Sequence, residues 1–159
     1  MHKDSQGFER TFALADLTAT EALGARIAAS MRIGDAVALE GDLGAGKTTL
    51  ARAILRALGV TENVPSPTFT LVQSYDTAAM VVRHFDLYRV VDSAEIDELG
   101  LDEALDEGAA LIEWPERAGT RLPGDALHVA LLLDKDGRRA RLTGSGHWAA
   151  ALSEDQHAH

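Results

Sequence analysis

A glycine-rich segment in the first third of the chain constrains the fold more than any other feature. Residues 41–48 read GDLGAGKT and match the pattern G-x-x-x-x-G-K-[S/T] at every fixed position. An apolar run at 36–39 precedes the segment, and an Ala-, Leu- and Arg-rich stretch at 47–58 follows it and ends at Gly59. A strand, a glycine loop and a helix in this order predict an α/β fold with a phosphate-binding loop at the carboxyl end of a strand.

The remaining segments are assigned from their hydrophobic patterns. A capping box at 18–21 and an apolar stripe after it predict a first helix that ends at Gly34. The pair Asp136-Gly137 lies between apolar runs and predicts a hairpin, because it supplies the positive φ angles of a tight turn. Further strands are predicted at 69–75, 80–85, 109–112, 126–133 and 138–142, and helical stretches at 93–99, 102–107 and 115–121.

This order of elements predicts the P-loop NTPase fold, with a central, mostly parallel sheet flanked by helices and extended by antiparallel strands. The 159 residues fit a single P-loop domain over 1–159, with flexible polar ends at 1–7 and 148–159. No apolar run is long enough to span a bilayer or to form a signal core, so we expect a cytoplasmic protein without a membrane partner.

Composition excludes several classes of function. The formal net charge is −10, which argues against a surface that grips a nucleic-acid backbone unaided. Cysteine is missing from the sequence, so disulfides, thiol nucleophiles and Cys-ligated metal sites are excluded. Because of the negative net charge, we expect any RNA or DNA to be reached through a partner protein.

The chemistry of the glycine loop indicates a nucleoside triphosphate as its ligand. Glycines allow successive backbone N–H groups to converge on phosphate oxygens beside a helix N-terminus. Lys47 is predicted to reach the β- and γ-phosphates, Thr48 to ligate Mg²⁺, and Thr49 to lie near the α- and β-phosphates. The loop residues predicted to bind the nucleotide are Gly41, Asp42, Gly44, Ala45, Gly46, Lys47, Thr48 and Thr49.

Magnesium also requires a carboxylate, and two predicted strands end in one. Asp86 ends the run VVRHFD, and Glu113 ends the wholly apolar run AALI. Ligands of open α/β sheets lie at the carboxyl ends of strands, so either acid could face the phosphates. The guanine-reading pattern N-K-x-D is missing, because the one asparagine, Asn63, is followed by valine. Adenine is therefore the expected base, and ATP with Mg²⁺ the expected cofactor pair.

Four blocks of sequence resemble the bacterial TsaE (YjeE) ATPases. They are GDLGAGKTTL at 41–50, SPTFTLV at 66–72, HFDLYR at 84–89 and EWPER at 113–117. The resemblance implies a role in forming N6-threonylcarbamoyladenosine at position 37 of tRNAs. It also implies that the chain does not transfer the threonylcarbamoyl group itself. Instead, it would associate with the TsaB–TsaD complex and support repeated turnover of that complex by ATP hydrolysis.

The resemblance also assigns roles to particular residues. Lys47, Thr48 and Thr49 match the phosphate and magnesium residues of the family, and Glu113 matches a magnesium-associated acid. Asp86 matches the Walker-B-like acid that hydrolysis requires. Residues 66–70, with Thr68, match a switch-like segment, and Trp114 matches a residue beside the nucleotide.

Two other functions fit the same phosphate loop: a small-molecule kinase, and a nucleotide-dependent binding switch with negligible turnover. A kinase needs an acceptor pocket and an arginine-bearing lid, but the segment 92–107 carries eight acids and neither Lys nor Arg. That segment would repel anionic acceptors. We expect tRNA to be reached mainly through partner proteins. Direct contact that would contradict this expectation is looked for at the basic group that follows, namely Arg117, Arg121, Lys135, Arg138, Arg139 and Arg141.

Overall fold

A computed structural model describes residues 7–42, 44–67, 70–92, 94–135 and 137–153. Helices and strands alternate through most of these residues. The strands are β1 (Gly7–Leu14), β2 (Ala36–Glu40), β3 (Val72–Asp76), β4 (Val81–Asp86), β5 (Gly108–Glu113), β6 (Leu127–Asp134) and β7 (Gly137–Ser145). The α-helices are α1 (Leu17–Ser30), α2 (Lys47–Ala57), α3 (Glu95–Leu99), α4 (Leu101–Glu107) and α5 (His147–Leu152), and a 3-10 helix spans Pro115–Arg121.

The strands of the described residues form one seven-stranded sheet in the order β1-β7-β6-β2-β5-β4-β3. The four central strands, β6, β2, β5 and β4, run parallel to one another. The strands outside them are antiparallel to their neighbours, with β7 and β1 at one edge and β3 at the other. The predicted mixed α/β sheet is confirmed, and its parallel part is confined to the centre.

Two apolar clusters cover the two faces of this sheet. Side chains alternate along each central strand, so Val37 belongs to the cluster beneath α1 and α2, and Ala36 to the cluster beneath α3 and α4. Both β2 and β5 are buried along nearly their whole length, which explains their continuous apolar runs. Strand β2, which leads into the glycine loop, and its neighbour β5 are therefore covered on both faces.

The N-terminal part of the chain differs from the sequence-based expectation. The predicted capping box at 18–21 is wrong, because helix α1 begins at Leu17 and the Asp16 carboxylate accepts a 2.9 Å hydrogen bond from the Ala19 N–H. Strand β1 was not predicted. It is an edge strand whose residues stay largely accessible, so its sequence lacks a strong apolar pattern.

The prediction of a flexible end from residue 148 is wrong for residues 148–152, and residues 154–159 lie outside the described part of the chain. Residues 147–152 form helix α5, which buries Trp148 and Leu152 in the cluster beneath α1 and α2. This helix has only six residues, three of them alanine, so the sequence shows no clear apolar periodicity there. Among the residues that the structure describes, the helices are all too short or too polar to cross a membrane.

The acidic segment is partly neutralised by basic side chains from elsewhere in the fold. Arg121 donates two hydrogen bonds, of 2.8 and 3.0 Å, to the Asp97 carboxylate, and this guanidinium lowers the pKa of Asp97. Arg83 pairs with Glu107 at 2.8 Å. Helix α3 is thereby tied to the 3-10 helix, and helix α4 to β4.

Gly24 sets the distance between helices α1 and α2. A Cβ atom at this position would lie 2.7 Å from the Ala53 Cβ and 2.9 Å from the Ala53 carbonyl carbon. Overpacking costs about 1–3 kcal/mol, which exceeds the helix-propensity gain of at most about 1 kcal/mol from replacing glycine. We expect Gly24→Ala to lower the free energy of unfolding by about 1–2 kcal/mol in urea titration.

Gly124→Ala is the matched control for this prediction. A Cβ atom at Gly124 would meet no described atom within 4 Å. The control should therefore unfold at the wild-type denaturant concentration. If both variants have the same stability as wild type, the close approach of the two helices at Gly24 is not a packing constraint.

Candidate functional site

The glycine loop joins the carboxyl end of β2 to the first turn of α2. Gly41 has φ 147°, and a Cβ atom there would lie 2.8 Å from the Leu131 carbonyl oxygen, so only glycine fits. Gly46 precedes the helix with φ 108° and provides no side-chain cap. The first N–H groups of α2 are therefore left for another acceptor at the loop.

Lys47 places a buried ammonium group inside this loop. Lys47 is buried, with only 5% of the residue exposed. Its Nζ donates hydrogen bonds to the Gly41 carbonyl at 2.6 Å and the Asp42 carbonyl at 2.9 Å. The Nζ also lies 4.4 Å from the centre of the Trp114 ring. The positive charge is thus held at the loop by uncharged carbonyl groups, which an anion could replace.

The two predicted carboxylates meet at the same edge of the sheet. Asp86 and Glu113 end the parallel neighbours β4 and β5, and they are paired directly in the register of the two strands. Both residues are buried, at 6% and 3% exposure. The Thr48 hydroxyl donates to Glu113 Oε2 at 2.9 Å, and the Tyr88 N–H donates to Asp86 Oδ1 at 3.0 Å. Glu113 is thus joined to the first turn of α2, while Asp86 orders the loop that follows β4.

A cavity of about 360 Å³ opens above these groups. It is lined by Gly44, Gly46, Lys47, Thr48, Thr49, Ser66, Asp86, Tyr88, Arg89, Glu113, Trp114 and Arg138. A second cavity, of about 330 Å³, shares Thr49 and Arg138 with the first and has Leu14, Leu17 and Leu133 in its lining. Charged and hydroxyl groups therefore surround one compartment, and leucines line the adjoining one.

Some predicted ligand-binding residues lie outside the main cavity. Gly41 and Asp42 line a neighbouring pocket on the other side of Trp114. The Ala45 side chain packs in the apolar core, so its backbone is the part that faces the loop. Thr68 lies outside the described residues, whereas Ser66 of the same segment lines the main cavity.

Trp114 is held in an uncommon backbone conformation beside the cavity. Its φ of 59° and ψ of 52° lie in the left-handed region, which costs energy for a residue with a side chain. Its ring lies 4.8 Å from the ring of Tyr88. Together with the contact to Lys47, this packing places the indole beside the loop, where it also packs against the apolar cluster beneath α3 and α4.

The donor set suits magnesium bound together with phosphate. Thr48, Asp86 and Glu113 offer a hydroxyl and two carboxylates, which are the hard oxygen ligands that Mg²⁺ prefers. In the described ranges, no group of three or more His, Cys, Asp or Glu residues could hold a metal ion alone. This is consistent with Mg²⁺, which commonly takes one or two protein carboxylates and completes its octahedron with phosphate and water.

Sequence reasoning missed three residues at the site. His84 lies 2.7 Å from Glu113 and is fully buried, while Tyr88 and Arg138 line the main cavity. One signal could have found His84, since it stands two residues before Asp86 in the same strand and must share its face. No local pattern indicates Arg138, because the β6–β7 hairpin carries it to the loop from a distant part of the chain.

Comparisons with known proteins point in one direction. The family model for "Threonylcarbamoyl adenosine biosynthesis protein TsaE" matches residues 14–141. The tRNA threonylcarbamoyladenosine biosynthesis protein TsaE of Bacillus subtilis is 37% identical over 142 residues, which cover 88% of this chain and 89% of that protein. The TsaE protein of Haemophilus influenzae is 42% identical over 107 residues, covering 67% of this chain and 68% of its own.

The fold is similar to that of a solved relative. The crystal structure of Bacillus subtilis YdiB superposes with a TM-score of 0.74 at 29% sequence identity. The match covers 94% of this chain and 93% of that one. The similarity thus extends over the central sheet, both antiparallel edges and the glycine loop.

Proposed function

The chain belongs to the TsaE family, whose proteins act in tRNA threonylcarbamoyladenosine biosynthesis, and from this premise we propose that it is a magnesium-dependent ATPase of that pathway. Its role is to support repeated turnover of a TsaB–TsaD complex rather than to transfer the threonylcarbamoyl group. The observation that carries the proposal is the convergence of Lys47, Thr48, Asp86 and Glu113 on one cavity at the glycine loop.

The order of strand β2, glycine loop and helix α2 supports the proposal of a P-loop NTPase fold. In this proposal, the backbone N–H groups at 44–49 and the Lys47 ammonium bind the β- and γ-phosphates of ATP. The carbonyl groups of Gly41 and Asp42 release Lys47 Nζ to the more strongly charged phosphate oxygens. Lys47 then stabilises the charge that spreads over the transferred phosphoryl oxygens, which is where the rate gain arises.

Thr48, Glu113 and Asp86 form the proposed magnesium site. The Thr48 hydroxyl keeps its hydrogen on Glu113 while its oxygen lone pairs face the cavity. Mg²⁺, held there by these residues, would supply positive charge that offsets the negative charge of the phosphate oxygens. Asp86 remains the proposed acid of hydrolysis. Thr68, which lies outside the described residues, remains a proposed switch residue.

The adjoining cavity supports a nucleotide ligand rather than a free phosphate compound. It shares Thr49 and Arg138 with the main cavity, and Leu14, Leu17 and Leu133 contribute apolar surface to its lining. An apolar slot beside a phosphate site suits a purine base. We propose that the adenine of ATP enters from this side.

Charge supports an indirect route to tRNA. The formal net charge is −10, and phosphate backbones bind mainly to clusters of Lys and Arg. We therefore propose that TsaB and TsaD bring tRNA to the reaction and that the chain acts beside them in the cytoplasm. The basic group after residue 116 is the region where direct contact with tRNA would first be sought.

A kinase and a binding switch remain the competing functions, and one assay separates them. Purified chain is incubated with Mg²⁺ and γ-labelled ATP, alone and with TsaB and TsaD, and the label is followed. Label in inorganic phosphate supports the proposed ATPase. Label on a small acceptor supports a kinase, and tight ATP binding without release of phosphate under either condition supports a switch.

A further inference from the structure

A buried histidine contacts Glu113 of the proposed magnesium site without lining the cavity. His84 on β4 has no exposed surface, and its Nε2 lies 2.7 Å from Glu113 Oε2 on β5. The same carboxylate oxygen accepts the 2.9 Å hydrogen bond from the Thr48 hydroxyl on α2. One oxygen atom of Glu113 therefore joins the strand behind the site to the helix in front of it.

The contacts of the ring fix the direction of this hydrogen bond. A carboxylate oxygen that accepts from Thr48 offers a further lone pair and no hydrogen, so His84 Nε2 is the donor. The other ring nitrogen, Nδ1, is buried and has no hydrogen-bond partner among the described residues. A hydrogen on Nδ1 would be buried without an acceptor, so placing the hydrogen on Nε2 alone fits this environment better.

From this geometry we infer that His84 is a positioning residue for the magnesium site, because its Nε2–H holds the Glu113 carboxylate in the orientation that Mg²⁺ binding requires. The inference rests on the proposed role of Thr48 and Glu113. With Oε2 occupied by two donors, Oε1 is the oxygen left for a water of the magnesium shell. The orientation of Thr48 follows from the same anchor, since its hydrogen must point to Oε2.

Hydrogen-bonded partners of metal-site carboxylates typically contribute 10–100-fold to metal affinity or activity. Without His84, the Glu113 side chain would keep only the Thr48 contact and would gain rotational freedom. The buried Glu113 carboxylate would then have one hydrogen-bond donor instead of two, which raises the cost of burying its charge. We therefore expect the loss of His84 to lower the affinity for nucleotide in the presence of Mg²⁺ and to leave the affinity without Mg²⁺ unchanged.

Two variants test this inference, because their amide nitrogens lie at different distances from Cβ. In His84→Gln the amide nitrogen is the same number of bonds from Cβ as Nε2, whereas in His84→Asn it stands at the position of Nδ1. The measured quantity is the affinity for the non-hydrolysable analogue AMP-PNP by calorimetry, with Mg²⁺ and with EDTA. We expect His84→Asn to lose about 10–100-fold of the magnesium-dependent gain in affinity, and His84→Gln to retain it.

His147→Asn is the matched control. His147 also donates to a carboxylate, Asp35, at 2.9 Å, but this pair lies at the opposite end of β2 from the glycine loop. The control should keep the wild-type response to Mg²⁺. Equal responses of His84→Asn and wild type, or equal losses in His84→Asn and His84→Gln, would overturn the inference.

Wild-type protein provides a second measurement that does not depend on folding of a variant. Nitrogen-15 spectra of the histidine side chains distinguish the two neutral ring forms. We expect His84 to carry its hydrogen on Nε2, and its signals to shift when Mg²⁺ is added to the AMP-PNP complex. A hydrogen on Nδ1, or signals indifferent to Mg²⁺, would overturn the inference. If wild type binds AMP-PNP equally well with and without Mg²⁺, the proposed magnesium site itself is wrong.

Discussion

Lys47→Ala should reduce the rate of ATP hydrolysis by about 10²–10³-fold, the cost of removing one preorganised donor to developing charge. Nucleotide binding should weaken as well, because Lys47 is the buried cation of the glycine loop. The alanine also leaves the Gly41 and Asp42 carbonyls without the ammonium that joins them. Phosphate release at saturating and at low ATP measures the loss of turnover and the loss of affinity separately.

Lys135→Ala is the control for charge. Lys135 is an exposed lysine at the turn between β6 and β7 and lines neither the main cavity nor the adjoining one. This variant should hydrolyse ATP at the wild-type rate. If Lys47→Ala, folded by circular dichroism, does so too, the glycine loop is not the site of hydrolysis.

The second large effect concerns the two acids at the ends of β4 and β5. We expect Glu113→Gln and Asp86→Asn each to lower magnesium-dependent ATP hydrolysis by about 10–100-fold. Each amide keeps an oxygen that can accept the existing hydrogen bonds, from Thr48 in one case and from the Tyr88 N–H in the other. The fold should therefore persist while the negative charge that attracts Mg²⁺ is lost.

Magnesium titrations of the hydrolysis rate separate the roles of these acids. A variant that recovers activity at high Mg²⁺ has lost metal affinity, whereas one that stays slow has lost a group needed for the reaction itself. Glu107→Gln is the control, because Glu107 is an exposed acid that pairs with Arg83 away from the cavity. Wild-type rates and magnesium dependence in both Glu113→Gln and Asp86→Asn would remove these acids from the site.

The sequence contained enough information for the central sheet and the glycine loop, because both follow local rules. The run at 36–39 is apolar since β2 is covered on both faces, and the glycine spacing reflects backbone positions that a Cβ would block, as at Gly41. The ends of the buried strands also indicated where Asp86 and Glu113 would meet. These features depend on chain segments of fewer than about ten residues.

Features that depend on distant contacts could not be predicted. Strand β1 owes its stability to pairing with β7, and α5 to burial of Trp148, neither of which leaves a strong periodic pattern. Asp16 caps α1 although the neighbouring Thr18 gives the better-known signature. Likewise, the contact between His84 and Glu113 follows from the parallel register of β4 and β5, which is a property of the whole sheet.

The central claim is that ATP hydrolysis at this loop supports repeated rounds of tRNA modification. Its most direct test is the amount of threonylcarbamoyladenosine formed per TsaB–TsaD complex over many cycles, with wild-type chain, with Lys47→Ala and with no added chain. We predict that modification continues past the first cycle only with the wild-type chain. Equal multi-cycle modification in all three reactions would contradict the account.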